Sequence, residues 1–183
     1  MVGLIHKILF NMLESTAEPE VALEIRRRAE VPADKEFHIN EVYDDEEWQR
    51  LFAATISVLN LTQEQVEEVY AEHFIKDGQE RWPVWFTMAK TAREFLIRQP
   101  KIHNGFATSQ QDPVLRSAID DKFHVEERDD ELVVHYQSPN KLCGLYKSLA
   151  TKVLNLYQED AQVDEACCMK QGSPECEIHI RWS

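Results

Sequence analysis

The chain has 183 residues, 43% of them hydrophobic and 29% charged, which is the composition of one folded domain and argues against disorder. Twenty Lys and Arg stand against thirty-three Asp and Glu, a formal net charge of −13. That balance repels phosphate backbones and anionic lipid heads, so it excludes nucleic-acid binding or membrane attachment through a basic patch.

The first stretch, Gly3 to Leu13, carries Leu4, Ile5, Ile8, Leu9, Met12 and Leu13 at helical spacing. Lys7 interrupts it and no small-residue cleavage site follows before Glu14 and Glu18, so it reads as a helix of the fold rather than a leader. No apolar run approaches the roughly 18–20 residues that span a bilayer. The expected compartment is the cytoplasm, where four cysteines are thiols or metal ligands rather than a disulfide framework.

Helices continue through the first hundred residues. Glu20 to Ala29 is predicted helical and ended by Pro32. Asp44 to Leu59 places Trp48, Phe52, Ile56 and Leu59 on one face. Thr62 with Gln65 makes a capping box that opens a helix over Val66 to Phe74. Trp82 to Arg98 is predicted as one helix, stopped by Pro100. The texture then changes. Lys122–Val125 and Leu132–Tyr136, separated by the charged turn Glu127–Asp130, predict a β-hairpin. Lys141 to Tyr157 returns to helix, and Cys176 to Trp182 alternates Glu177, His179 and Arg181 against Ile178, Ile180 and Trp182, as a half-buried strand does. The pattern is α+β: a helical half, then a small antiparallel sheet packed with one long helix. With no linker or repeat, residues 1–183 read as one domain, with an N-terminal helical part to about residue 60.

Five scattered glycines form no phosphate-binding loop, and GxSxG and HExxH are absent. Acidic runs such as Asp44–Glu47 read as solvated faces, so the residues announce no enzyme. His6, His38, His73, His124, His135 and His179 read as structural. His103 follows the apolar run Phe95-Leu96-Ile97. A lone histidine there is ordinarily structural, and the alternative is an axial ligand to a metal or haem iron, for which neutral imidazole is suited. Cys143, Cys167, Cys168 and Cys176 form a second cluster. Cys168-x7-Cys176 encloses Gly172, a turn that could close a zinc site, although the spacing is not CxxC; the alternative is buried or redox-responsive thiols.

Taken together, these pieces resemble the H-NOX family of haem nitric oxide/oxygen-binding domains over nearly the whole chain. The residues that carry the likeness are the opening Met1-x-Gly3-Leu4-Ile5, the interval from Phe95-Leu96 to His103, the run Tyr136-Gln137-Ser138-Pro139-Asn140-Lys141-Leu142-Cys143, and the ending Cys168-x7-Cys176. The resemblance implies a haem b cavity between the helical and sheet parts. In it His103 would be the axial ligand to iron, Tyr136, Ser138 and Asn140 would hold the propionates, and Ile5, Leu9 and Leu145 would line the distal pocket. The family motif YxSxR departs here, with Asn140 in place of its arginine and Lys141 as a neighbouring cation. Oxygen-binding members carry a tyrosine nine residues after the motif's own; that position is Leu145, and one alignment step would bring Tyr146 there. Bound O₂ is polar and gains from a hydrogen-bond donor, whereas NO binds ferrous haem without one, so an apolar distal side implies an NO sensor that excludes O₂.

The resemblance also implies a possible zinc site from Cys143, Cys168 and Cys176, with Cys167 or Glu165 as fourth ligand. NO would weaken the iron–His103 bond and let the two halves move. The regulated partner would be a separate signalling enzyme, a histidine kinase or a diguanylate cyclase or phosphodiesterase. The alternative function is a haem-free regulator of the same fold that uses its cysteines for redox sensing or structural zinc.

Overall fold

Residues 1–108, 111–119 and 122–182 are described by the computed structural model. Helices α1 (Gly3–Thr16), α2 (Pro19–Arg28) and α3 (Asp45–Leu59) form the N-terminal part, and α4 (Gln63–Arg81) packs across them. Local chemistry sets their ends. The Asp44 side chain accepts the Glu46 N–H at 3.0 Å to open α3, and Asn60 closes it in the left-handed region at φ 54°. Thr62 and Gln65 make the expected reciprocal capping box: Thr62 Oγ1 accepts the Gln65 N–H at 3.2 Å and Gln65 Oε1 accepts the Thr62 N–H at 2.8 Å. The helix it opens runs on to Arg81, well past Phe74.

The long helix expected over Trp82–Arg98 is instead two: α5 (Pro83–Thr87) and α6 (Ala92–Thr108). Pro100 does not stop α6 but sits inside it. Proline lacks the N–H that would bond the carbonyl four residues back, so it weakens that turn without ending the helix. The two flanks of α6 are tied into different cores, which holds the chain helical across the defect: Phe95 and Leu96 belong to the sheet's core, Phe106 and Ala107 to the core that joins α7 with the N-terminal helices.

After α7 (Pro113–Ile119), strands β1 (Phe123–Glu127) and β2 (Glu131–Tyr136) make the expected hairpin. Helix α8 (Cys143–Leu156) follows, then β3 (Ala161–Cys167), which the sequence pattern does not announce, and β4 (Cys176–Trp182). The sheet is antiparallel throughout, in the order β1-β2-β4-β3. Leu132, Val134, Tyr136, Ile178 and Ile180 face α6 and α8. The opposite face is polar and carries His179 between the Glu131 and Glu177 carboxylates, with Arg181 bridging Glu131 and Asp164. One core gathers Leu9, Met12, Ile25, Trp48, Leu51 and Tyr70 with Leu145; the other gathers the sheet's inner face with Tyr146, Val153 and Leu154.

Candidate functional site

Between the two cores lies a cavity of about 880 Å³, of a size that takes a large organic ligand. Most of its wall is apolar. Ile5 from α1, Phe74, Ile75 and Gly78 from α4, and Leu145 and Leu149 from α8 line one side. From α6 come Gln99, Ile102, His103 and Phe106, and from β1 comes Phe123. Gln99 and His103 are one helical turn apart and so share a face. The His103 ring stands edge-on to Phe123 at 5.1 Å, which fixes its plane.

The loop Gln137–Leu142 forms the polar rim. Leu142 N–H donates to Tyr136 Oη at 3.2 Å, and Asn140 N–H donates to Ser138 Oγ at 3.3 Å, so both hydroxyls also hold the loop in shape. Burial pushes the Tyr136 hydroxyl up to about 12, so it stays a neutral donor. Asp45 sits across the rim. Burial alone would raise its pKa, but hydrogen bonds from the Met1 ammonium and the Asn140 amide, with the charge of Lys122, hold it below the usual carboxylate value. Three buried atoms that line this cavity have no hydrogen-bond partner among the described residues: Gln99 Oε1, Asn140 Oδ1 and Tyr146 Oη. Buried polar atoms are nearly always paired, so a mostly apolar cavity edged by orphans is built for a ligand with polar groups of its own.

Most of the residues singled out in the sequence meet here. His103, Tyr136, Ser138, Asn140, Ile5 and Leu145 all line the cavity. Leu9 does not: it is fully buried in the N-terminal core, one turn beyond Ile5 and behind the wall. Lys141, adjacent to Asn140 in sequence, is exposed, whereas Lys122 lines the cavity. Pairing of the Lys122 carbonyl with the Gln137 N–H brings Lys122 there, a placement that spacing in the sequence does not encode.

The cysteines converge about the start of α8. Ligand atoms of Cys143, Glu165, Cys168 and Cys176 all lie within 4.8 Å of one another. Cys143 and Cys168 Sγ are 3.5 Å apart, and Cys176 and Cys168 Sγ 4.0 Å. Burial pushes the Cys143 and Cys176 thiols up. Lys147 bonds Glu165 at 3.2 Å. Cys167 is outside this group, its thiol directed at the Glu175 carbonyl at 3.6 Å. Adjacent residues of an extended chain point to opposite sides, and the shift of register between Glu165 and Cys167 puts Cys168 rather than Cys167 on the side of Glu165. The fourth corner of the cluster is therefore Glu165, not Cys167.

Comparison with known proteins places this geometry. The family model for haem-NO-binding domains matches residues 2–165. A soluble guanylate cyclase of Caenorhabditis elegans, gcy-37, is 33% identical over 105 residues; the match covers 56% of this chain but only 15% of that protein's length. Among solved structures, an H-NOX protein from S. oneidensis in the Fe(II)NO state superposes over 100% of this chain and 99% of its own, at TM-score 0.84 and 17% identity. An unliganded Fe(II) H-NOX mutant from K. algicida does so over 100% and 97%, at TM-score 0.85 and 19% identity. An oxygen-binding H-NOX domain in its oxygen complex matches over 100% and 95%, at TM-score 0.81 and 18% identity. The chain belongs to the haem-NO-binding family, the H-NOX domains.

Proposed function

We propose that this family member is a cytoplasmic, haem-based nitric oxide sensor that regulates a separate signalling enzyme and discriminates against O₂. The observation that carries the reading is the cavity itself, lined by His103 beside Phe123, by Ile5, Leu145 and Leu149 from the N-terminal core, and by Tyr136, Ser138 and Asn140 of the loop. The donor set fits the cofactor. An imidazole suits ferrous iron, the orphaned rim atoms suit a ligand with polar edges, and the apolar walls suit a macrocycle. Bound haem b would supply an iron centre that takes up a diatomic gas.

The chain's own residues would do the rest. His103 would hold the group from the α6 side, with Phe123 fixing the plane of the ring. Tyr136 and Ser138 would donate to its carboxylates, and the bonds each makes to the loop backbone keep them placed. Ile5, Leu145 and Leu149 present no hydrogen-bond donor to a gas on their side, which disfavours O₂ and leaves NO. His103 stands past Pro100 on α6, edge-on to Phe123 of β1, with Phe106 and Ala107 beyond it in the core that holds α7 and the N-terminal helices. Release of its imidazole would free that half to shift against the sheet, a two-state motion that a partner can read. A histidine kinase or a diguanylate cyclase or phosphodiesterase is the partner we propose.

The test is an anaerobic visible spectrum after haem reconstitution and reduction. A stoichiometric Soret band that shifts with NO and is unchanged by O₂ is expected; loose haem without a defined band overturns the reading. A second reading rests on the thiol cluster: a regulator without haem, in which Cys143, Cys168, Cys176 and Glu165 hold zinc or respond to oxidation. Metal content with no Soret band would favour it.

A further inference from the structure

Asn140 leaves the rim without the charge that a carboxylate-bearing ligand needs. Its amide nitrogen bonds Asp45, and its orphaned Oδ1 is an acceptor, which cannot receive another acceptor. Lys141 cannot make good the loss, because it is exposed on a turn at φ 49°.

The sheet brings another cation to the place. Phe123 pairs with Tyr136 on the β1–β2 ladder, and the Lys122 carbonyl accepts the Gln137 N–H at 3.1 Å, extending the pairing by one residue. Lys122 is thereby fixed beside the Tyr136–Asn140 loop, half-buried, and it lines the cavity together with Tyr136, Ser138 and Asn140. Its charge is felt at Asp45 across the rim. Lys122 is in no ion pair among the described residues, and Asp45, the carboxylate that feels its charge, is already bonded by the Met1 ammonium and the Asn140 amide.

We infer that Lys122 is the cation that pairs with a carboxylate of the cavity's ligand, filling from the neighbouring strand the role that Asn140 cannot. The inference rests on the haem reading, in which the carboxylates are propionates. A charge-assisted hydrogen bond in a partly buried setting contributes more than a neutral one, and its loss leaves a carboxylate poorly solvated.

The experiment measures haem transfer to excess apomyoglobin from the wild-type protein, Lys122→Ala and Lys122→Arg, with haem and with its dimethyl ester, which lacks the carboxylate charge. Lys122→Ala is expected to lose haem on the order of tenfold faster, Lys122→Arg at close to the wild-type rate, and the alanine effect to vanish with the ester. Equal loss from wild type and Lys122→Ala overturns the assignment while leaving the haem reading intact. So does an alanine effect that persists with the ester, because Lys122 would then act on the fold. A wild-type protein that takes up no haem overturns both.

Discussion

Leu145 and Tyr146 are consecutive on α8 and both line the cavity, yet they belong to different cores. Leu145 is buried in the N-terminal core, against which Ile5 packs, while Tyr146 stacks near Phe123 at 5.3 Å and Tyr136 at 6.5 Å on the sheet side. Successive side chains on a helix diverge by roughly 100°, so a one-residue change of register moves a phenol from one wall to the other.

That divergence makes gas selectivity testable at one position. Leu145→Tyr puts a hydrogen-bond donor on the Ile5 side, and we expect the reduced, haem-loaded variant to acquire an oxygen-dependent spectral shift that the wild-type protein lacks. Tyr146→Phe should leave the NO-induced shift in place. Oxygen binding by the wild type that disappears in Tyr146→Phe would reverse the assignment of the two walls.

Tyr146 is 3% exposed, and its buried hydroxyl has no hydrogen-bond partner among the described residues. An unsatisfied buried hydroxyl costs about 1–3 kcal/mol. Tyr146→Phe should therefore stabilise the haem-free protein by about 1 kcal/mol in urea unfolding. A variant less stable than wild type would mean that the hydroxyl has a partner after all.

Legibility in the sequence followed the range of the interactions. Thr62 and Gln65 announce their helix because a capping box is a contact across three residues, and Cys176–Trp182 reads as a strand because its alternation is regular. Strand β3 escapes because Ala161-Gln162-Val163-Asp164-Glu165 has one β-branched residue and a polar majority; pairing with β4, not propensity, makes it a strand. Pro100 misleads because its local signal is overruled by packing on both flanks. In the site, His103, Tyr136 and Ser138 stand out by motif, whereas Lys122 is placed by register and the choice between Glu165 and Cys167 is made by a bulge, neither of which spacing alone encodes.

The thiol cluster offers three sulfurs and one carboxylate, a four-ligand set that suits tetrahedral zinc. We expect about one zinc per chain by elemental analysis, lost in Cys168→Ser and weakened against a chelator in Glu165→Ala. Cys167→Ser should retain the metal in full, since its thiol points to the Glu175 carbonyl. Retention in Cys168→Ser together with loss in Cys167→Ser would exchange the roles of the two neighbours.

Gly3 opens α1 where the chain passes close to the segment before α3. Its N–H donates to the Glu41 carbonyl at 2.9 Å, and a Cβ there would overlap the His38 carbonyl oxygen and press on the Tyr43 ring. Backbone cannot swing aside as a side-chain tip can, so Gly3→Ala should cost about 1–3 kcal/mol. Gly105→Ala is the control, because a Cβ there meets nothing within 4 Å. Equal stability of the two variants would show that the first turn of α1 moves freely.

His6 lies fully buried one residue from the cavity wall, its ring stacked on Phe37 at 4.5 Å and close to Tyr43 and Trp48. Burial lowers its pKa from the ordinary 6.5 to about 4. Above pH 6.5 the ring is neutral in both the folded and unfolded chain and adds no pH dependence. Between 6.5 and 4 the unfolded chain takes up a proton that the folded one refuses, so stability falls as pH falls, and the loss levels off below the folded pKa. The full span corresponds to about 3 kcal/mol. His6→Phe keeps an aromatic ring against Phe37 and removes the titration. Its urea midpoint should therefore fall less steeply than the wild type's between pH 6.5 and 4, and the difference between the two cancels the carboxylates that titrate in both. Parallel curves would mean that His6 takes its proton without unfolding the aromatic cluster that surrounds it.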